Sequence, residues 1–296
     1  MSSVSVIIPV YNRTDYLTET IESVIHQTYR DFKIIIVDDG SKVDLKKILD
    51  PYIAGGKVRY IYQNNKGLAG ARNTGIRHST GQYIAFLDDD DLFEPEKLEK
   101  QVLILDNNPD VGLVYSDCYE FHNSDLDNRV LGRAIGRDDI QRDFRHVFFL
   151  HPNIRVPTVL IRRECIQDVG YFDESLHQHE DGDLFLRIAL KWEVFFSDYP
   201  SASVRTHSYN MSRNRIEMNE SIIQSSEKIV NNNPEFRNAL GSDINYRFSR
   251  LYFELGKAYL KNFKIKKSFK AFVSGLRYTT TFCRIFGNPP GKLYLK

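Results

Sequence analysis

Short apolar runs alternate with amphipathic helical patterns from the N-terminus to about residue 200. The helical patterns begin near Thr14, Ala69, Pro95 and Asp183, where apolar residues recur every three or four positions. The apolar runs lie at residues 4–10, 33–37, 58–62, 83–87, 112–115, 156–162 and 194–197. Runs of this length are typical of buried strands, and strands that alternate with helices predict an α/β fold with a mostly parallel sheet flanked by helices.

The pattern changes twice in the second half of the chain. Residues 120–150 are polar, charged and weakly periodic, which is typical of a functional loop or lid. From about residue 219 the periodicity is helical throughout, and the short polar connection at 261–264 predicts an antiparallel helical hairpin. We therefore expect a sheet-containing domain over residues 1–215 and a C-terminal helical region over residues 216–296.

Composition places the chain among ordinary globular proteins. Hydrophobic residues make up 42% of the 296 residues and charged residues 27%, and no apolar run approaches the length of a membrane-spanning helix. The N-terminus does not resemble a secretory signal. The three cysteines lie far apart without a CxxC motif, which argues against a disulfide framework or a thiolate zinc site. These features predict a cytoplasmic protein.

The formal net charge of +1 conceals a strong asymmetry. Residues 247–296 hold twelve Lys and Arg and one acid, Glu254, giving +11, whereas the first 246 residues hold 28 basic and 38 acidic residues, giving −10. The acidic body disfavours nucleic-acid binding. The basic end predicts a peripheral contact with anionic lipid headgroups, and a solvated helical face or an oligomer contact is the alternative.

Four consecutive carboxylates, Asp88 to Asp91, directly follow the predicted strand at 83–87. Adjacent like charges raise one another's pKa, so such a cluster is costly unless a ligand uses it. In α/β sheets, ligands bind outside the carboxyl ends of the strands. Clustered oxygen ligands suit Mg²⁺ or Mn²⁺ that bridges phosphates, and a solvated acidic turn before the next helix is the other interpretation.

Weaker candidates follow the neighbouring strands. Asp39 ends the second strand, where it could accept hydrogen bonds from a base or ribose, although Asp-Gly is also common in turns. Tyr11 could stack on a base and Arg13 could meet a phosphate, although packing of Tyr11 and helix capping by Asn12 or Thr14 explain this segment at least as well. Glycines flank the start of the helix predicted from about Ala69, where backbone amides would favour anions, and Arg72 could face a ligand from its first turn.

Two further candidates lie later in the chain. Asp181 begins a predicted helix, where an ionised carboxylate is favoured and could accept a proton; simple charge complementarity with the helix explains it equally well. His207 follows the last predicted strand, and a lone histidine is more often structural than catalytic.

Taken together, these segments resemble the family 2 nucleotide-sugar glycosyltransferases, which have the GT-A fold. The matching segments are VIIPVYN at 6–12, VDDGS at 37–41, GARN at 70–73 with Gly75, FLDDDD at 86–91, GYFDE at 170–174 and ED at 180–181. Each segment is weak evidence by itself, but their order is that of the family. The resemblance extends over residues 4 to about 212.

The resemblance implies a role for each donor-side residue. Pro9, Tyr11 and Asp39 would hold the nucleotide base and ribose, and Arg72 would lie near the base or the phosphates. Asp88 would begin the family's DxD signature.

The resemblance also implies a metal site and a catalytic base. Asp89 would contact the ribose or the sugar, and Asp90 would bind Mn²⁺ or Mg²⁺ directly. His207 would contact the phosphates or the metal. Asp181 matches the base that deprotonates the acceptor hydroxyl.

The implied reaction moves a sugar from a nucleoside-diphosphate sugar, with UDP favoured, to a glycan or lipid-linked acceptor. A base is available and no second nucleophilic carboxylate is evident, so inversion of configuration is expected. The biological setting would be synthesis of bacterial surface polysaccharide or glycolipid. Two alternatives remain: a non-catalytic module that binds sugar nucleotides or glycans, and a nucleotidyltransferase that releases diphosphate from a nucleoside triphosphate.

Overall fold

The computed structural model describes residues 3–134, 143–207 and 214–286, with side chains as far as residue 279. The chain divides into two compact units. Unit 1 comprises Met1–Ser175 with Glu180–Asn210, and unit 2 comprises Leu176–His179 with Met211–Lys296. None of the described helices has an apolar stretch long enough to cross a bilayer.

Unit 1 alternates strands and helices, as its apolar pattern predicted. Its described strands are β1 (Val4–Val10), β2 (Phe32–Asp38), β3 (Val58–Tyr62), β4 (Tyr83–Phe86), β5 (Leu92–Phe93), β6 (Val111–Ser116), β7 (Cys118–His122), β8 (Asp125–Gly132), β9 (Leu160–Arg162), β10 (Glu193–Ser197) and β11 (Ala202–Thr206). Its described helices are α1 (Leu17–Ile25), α2 (Lys46–Ala54), α3 (Gly67–His78), α4 (Lys97–Asn107), α5 (Phe144–Leu150), α6 (Arg163–Val169) and α7 (Glu180–Ala189).

The main sheet has the strand order β10, β6, β9, β4, β1, β2, β3. β1 pairs in parallel with β2 and β4, β2 pairs in parallel with β3, and β10 pairs in parallel with β6. Among the described strands of this sheet, only β9 runs antiparallel to its neighbours, β4 and β6. The predicted mostly parallel sheet is confirmed.

The central strand β1 is buried on both faces. Val6 and Ile8 belong to a core cluster that includes side chains of α1 and α4. Ile7 meets α3, where a Cβ added to Gly75 would lie 2.3 Å from Ile7 Cγ2. Only glycine permits this close approach, which fixes α3, and Arg72 on it, against the sheet.

A second sheet of order β5, β11, β7, β8 corrects the loop predicted at 120–150. β7 and β8 form an antiparallel hairpin, and β11 pairs in parallel with β7. β8 is exposed along nearly all of its length, so it has no apolar alternation that a sequence pattern could reveal. Backbone pairing with β7 specifies this strand instead. Residues 135–142 of the predicted loop lie outside the described residues.

Element boundaries also differ from the predictions. α1 begins at Leu17 rather than near Thr14, and α7 spans Glu180–Ala189 rather than about 183–192. The first turn of α7 is acidic, and the helix dipole stabilises anions there, whereas the predicted start depended on apolar periodicity. The strand predicted at 156–162 is shorter, because a 3-10 turn occupies Val156–Thr158 before β9.

Unit 2 is helical in its described residues. Its helices are α8 (Arg215–Asn232), α9 (Pro234–Leu240), α10 (Asp243–Lys261) and α11 (Ile265–Phe286). α10 and α11 pack together along their length: Tyr278 stacks on Phe248, and Ser268 near the start of α11 donates to the carbonyl of Gly256 at 2.9 Å. The predicted antiparallel hairpin is confirmed.

A lysine is buried at the start of α4. Lys97 is 0% exposed; its Nζ donates to Gln101 Oε1 at 2.6 Å and to the Val159 carbonyl at 3.3 Å. Among the described residues, no carboxylate forms an ion pair with it. Burial therefore lowers the pKa of Lys97 well below its usual value of 10.5.

Lys97→Met is expected to remove a pH dependence of stability. Between the lowered pKa of folded Lys97 and pH 10.5, the unfolded chain binds more protons than the folded chain. The wild-type free energy of unfolding therefore rises with pH in this range. The rise corresponds to an increase in the folding equilibrium constant of about tenfold per pH unit. Urea unfolding at several pH values measures this rise. Lys100→Met, at a partly exposed position of α4, is the control, and parallel pH profiles for the wild type and Lys97→Met would contradict the prediction.

Candidate active site

The carboxyl ends of three neighbouring strands meet at one edge of the main sheet. The Asp39 N–H donates to the Val10 carbonyl at 2.9 Å, and the Leu87 N–H donates to the Ile7 carbonyl at 3.0 Å. These bonds continue the ladders that join β1 to β2 and β4. The segments after β1, β2 and β4, which carry most of the predicted donor-side residues, therefore lie side by side.

Asp39 is held by the segment between β3 and α3. Its Oδ1 accepts from Gln63 Nε2 at 2.6 Å and from the Lys66 N–H at 2.8 Å, and its side chain is buried. Among the described residues, none donates to Oδ2. The orientation of this carboxylate is therefore fixed through Oδ1 alone.

The two other predicted base contacts lie on β1 and after it. Pro9 is buried in β1, opposite Val37 of β2. Tyr11 follows the strand and is 51% exposed. A half-exposed aromatic side chain at a strand end can stack on a base.

The four consecutive carboxylates Asp88 to Asp91, hereafter the acidic tetrad, each contact a basic residue, and Asp89 and Asp90 share Arg13. Asp88 pairs with Arg72 at 2.7 Å, Asp89 pairs with Arg13 at 3.1 Å, Asp90 pairs with Arg13 and His207, and Asp91 accepts from the Arg205 N–H at 2.8 Å. Burial raises the pKa of Asp89 to about 7 in spite of Arg13, and neighbouring acids add to the rise. Burial and the charges of Asp90 and Asp88 also raise the pKa of Asp91.

Asp90 and His207 form a buried pair. His207 Nε2 lies 2.8 Å from Asp90 Oδ2, and its ring stacks on Tyr16 with centroids 5.9 Å apart. His207 directly follows β11, so the second sheet brings it to the tetrad.

Arg205 connects the acidic tetrad to Glu19 and Tyr16. Its side chain is fully buried, its Nε donates to the Asp90 carbonyl at 2.8 Å, and its Nη2 pairs with Glu19 at 2.7 Å. The guanidinium lies 3.9 Å from the centroid of the Tyr16 ring. Sequence reasoning did not single out Arg205, because an arginine on a short strand has no local signature and Glu19 is distant in the chain.

Arg72 bridges the tetrad and α7. Arg72 is 1% exposed, with Nη2 at 2.7 Å from Asp88 Oδ1 and Nη1 at 2.5 Å from Glu180 Oε1. Burial lowers the pKa of Arg72, but Asp88 and Glu180 raise it by more. Burial raises the pKa of Glu180 to about 7, and the positive charge of Arg72 limits this rise. Sequence analysis did not identify this role of Glu180.

Asp181 follows Glu180 in the first turn of α7. It is only partly buried, and its Oδ1 accepts from the Gly182 N–H at 2.7 Å. The Arg72 bridge therefore joins the segment that carries Asp181 to the segment that carries Asp90.

Residues 5–170 match the model of glycosyl transferase family 2, which is more than half of the chain. The chain belongs to this family. The expected family resemblance is thereby confirmed. The matched residues include Asp39, Arg72 and the tetrad, whereas Asp181 and His207 lie beyond them.

Relatives that are named as glycosyltransferases agree with this assignment. An uncharacterized glycosyltransferase of Rickettsia prowazekii is 35% identical over 208 residues, which are 69% of this chain and 64% of that protein. The matched part is 26–33% of three further Rickettsia relatives.

Two solved structures share the fold. S. aureus TarS residues 1–349 with UDP-GlcNAc has a TM-score of 0.62 at 16% identity, covering 94% of this chain and 92% of that one. The mannosyltransferase PcManGT of Pyrobaculum calidifontis, in complex with GDP-Man and Mn²⁺, has a TM-score of 0.63 at 18% identity, covering 97% and 81%.

Proposed function

We propose that this family 2 glycosyltransferase moves a sugar from a nucleoside-diphosphate sugar to an acceptor hydroxyl, with inversion and with help from a divalent cation. The observation that carries the proposal is the Arg72 bridge between Asp88 and Glu180. One side chain thereby holds the acidic tetrad and the start of α7 at the same edge of the sheet. Direct transfer requires that the donor site and the acceptor base lie in one site, as this bridge allows.

The donor is proposed to bind at the ends of β1 and β2. Tyr11 offers an open ring for the base, buried Pro9 shapes the strand end beneath it, and the second oxygen of Asp39 can accept from the base or ribose. The fold relatives TarS and PcManGT were solved with UDP-GlcNAc and GDP-Man, which supports a sugar nucleotide as the donor class. We favour UDP.

The residues present fit a divalent cation that is shared with the donor. Among the described residues, no group of three or more His, Cys, Asp or Glu could hold a metal by itself. Asp90 and His207 offer one carboxylate oxygen and one imidazole nitrogen 2.8 Å apart. Mg²⁺ and Mn²⁺ sites commonly combine one or two carboxylates with substrate phosphates.

In this proposal Asp90 and His207 would hold the cation, and Asp89 would contact the ribose or sugar. A bound cation would supply charge neutralisation for the departing diphosphate. Arg13 pairs with Asp89 and Asp90 in the structure, so its guanidinium is a second cation within reach of the same phosphates.

Asp181 is the proposed base. Glu180 is committed to Arg72, whereas Asp181 is more exposed and its Oδ1 accepts from the backbone N–H of Gly182. Asp181 can therefore take the proton from the acceptor hydroxyl as that oxygen attacks the anomeric carbon. A single displacement inverts the configuration. We propose a glycan or lipid-linked acceptor in synthesis of bacterial surface polysaccharide or glycolipid, at a cytoplasmic location that includes the inner face of the membrane.

A donor screen tests the proposal. One nucleoside-diphosphate sugar, with Mn²⁺ or Mg²⁺ present, is expected to raise the melting temperature, because a ligand at about 100 times its Kd stabilises by about 2.7 kcal/mol. Asp90→Asn should lose the metal-dependent part of this shift. Asp125→Asn, which changes an exposed carboxylate on β8, should retain it.

Product analysis separates the competing functions. Transfer should release a nucleoside diphosphate and give a product of inverted anomeric configuration. Release of diphosphate from a nucleoside triphosphate would identify a nucleotidyltransferase instead. Donor binding without any transfer to a range of acceptors would identify a binding module.

A further inference from the structure

The closed end of the α10–α11 hairpin exposes large apolar side chains. α10 ends at Lys261 and α11 begins at Ile265, so three residues form the connection. Phe263 is 89% exposed, Phe269 70% and Ile265 59%. Single exposed apolar residues are ordinary, but neighbouring ones with a polar rim mark an interaction site.

These side chains are not on the face by which α11 packs against α10. Ser268 contacts the Gly256 carbonyl, and a Cβ at Gly256 would lie 2.7 Å from a ring atom of Phe272. Ile265 and Phe269 are four residues apart, and they share an adjoining face of α11. The packing of the hairpin therefore does not require them.

Phe263 is also held in an unfavourable backbone conformation. Its φ is +57°, in the left-handed region where glycine is the least costly residue. Its N–H donates to the Leu260 carbonyl at 3.0 Å, and the Lys264 N–H donates to the Tyr259 carbonyl at 2.9 Å, which closes the end of α10. Glycine would make this turn with less strain, so folding alone does not account for an exposed phenylalanine there.

Basic residues surround these apolar side chains. Exposed lysines at the closed end are Lys261, Lys264, Lys266, Lys267 and Lys270. Among the described residues, none of these lysines forms an ion pair. No Asp or Glu follows Glu254 in the sequence, and Glu254 itself pairs with Lys257.

We propose that this hairpin tip, consisting of Leu260, Phe263, Ile265 and Phe269 with those five lysines, docks on an anionic lipid bilayer. The lysines would lie at the level of the headgroups, and the apolar side chains would enter the boundary between headgroups and acyl chains. An apolar stripe flanked by lysines is the pattern by which amphipathic helices lie in a membrane interface. The proposal does not depend on any step of sugar transfer.

Charge and shape favour a bilayer over two other occupants. A symmetric contact with a second copy would place the same lysines opposite one another, which is repulsive. Single-stranded nucleic acid stacks on aromatic rings, but Leu260 and Ile265 offer no ring for a base. A lipid interface accommodates aromatic and aliphatic side chains together with the lysines.

Vesicle co-sedimentation of the full chain tests the proposal. The wild type should bind vesicles of equal parts phosphatidylcholine and phosphatidylglycerol, and it should bind pure phosphatidylcholine far more weakly. Phe263→Gly combined with Phe269→Ser should weaken binding by about a hundredfold at unchanged charge. Lys264→Gln, Lys266→Gln and Lys270→Gln should each weaken it by about fivefold.

The controls separate the tip from general effects. Leu103→Ser combined with Val130→Thr changes two apolar side chains of unit 1 that are each 62% exposed, and it should bind vesicles like the wild type. Phe263→Gly should not lower the melting temperature, because glycine suits the positive φ. Equal binding to anionic and neutral vesicles, or wild-type binding by the tip variants, would overturn the proposal. So would tip variants that alter only the oligomeric state in sedimentation equilibrium, which would indicate contact between copies.

Discussion

Asp181→Asn is expected to lower the turnover number by about two to four orders of magnitude, which is the usual contribution of a general base. The amide cannot accept the proton of the acceptor hydroxyl, yet it has nearly the shape of the carboxylate. Within the described part of the chain, Oδ1 of Asp181 accepts only from the neighbouring Gly182 N–H, and the amide oxygen of asparagine can replace it. Fold and donor binding should therefore be unchanged. Steady-state transfer rates and donor titrations measure the two effects separately.

The matched control for Asp181→Asn is Glu164→Gln. Glu164 is an exposed carboxylate in the first turn of α6, so its substitution removes a comparable charge from a comparable position. Full activity is expected in this variant. Loss of a general base should leave at most about one hundredth of the wild-type turnover. If Asp181→Asn kept more than about one tenth of it, Asp181 would not be the base.

The main sheet was predictable because each buried parallel strand has its own short apolar run in the sequence. β1 and β2 are almost wholly buried, so each is a nearly continuous apolar run. β8 is the opposite case, since its side chains are exposed and only pairing with β7 makes it a strand. Burial leaves a pattern in the sequence, whereas pairing of an exposed edge strand does not.

The same distinction applies to the site. The acids after β2 and β4 could be placed at one edge, because their position depends on the end of a local strand. Arg72 and Glu180 are 108 residues apart, and Arg205 and Glu19 are 186 apart. Ion pairs at such separations have no sequence period. They become visible only once the sheet has brought the segments together.

Arg72→Met is expected to destabilise unit 1 by about 3–5 kcal/mol, the usual cost of removing one partner from a buried ion pair. Methionine fills much of the volume but leaves Glu180 buried without its counter-charge, beside Asp88. Arg77→Met on the same helix is the control. Arg77 pairs with Glu174 at 3.3 Å with both side chains nearly half exposed, so a loss of about 0–1 kcal/mol is expected. Urea unfolding measures both variants.

The pH dependence of the Arg72→Met defect tests its cause. Burial raises the pKa of folded Glu180 from 4.5 to about 7, so the folded chain binds more protons than the unfolded chain between these values, and stability falls as pH rises through them. Without Arg72 the pKa of Glu180 in the folded chain rises further, so the fall in stability with rising pH extends to higher pH. The defect should therefore be smaller at about pH 5 than at about pH 8. Glu180→Gln in the Arg72→Met background should restore part of the stability at the higher pH, because no buried charge then remains at residue 180. The loss of stability in Arg72→Met could instead be equal at both pH values and unchanged by adding Glu180→Gln. That result would mean that lost packing, rather than an uncompensated carboxylate, destabilises the variant.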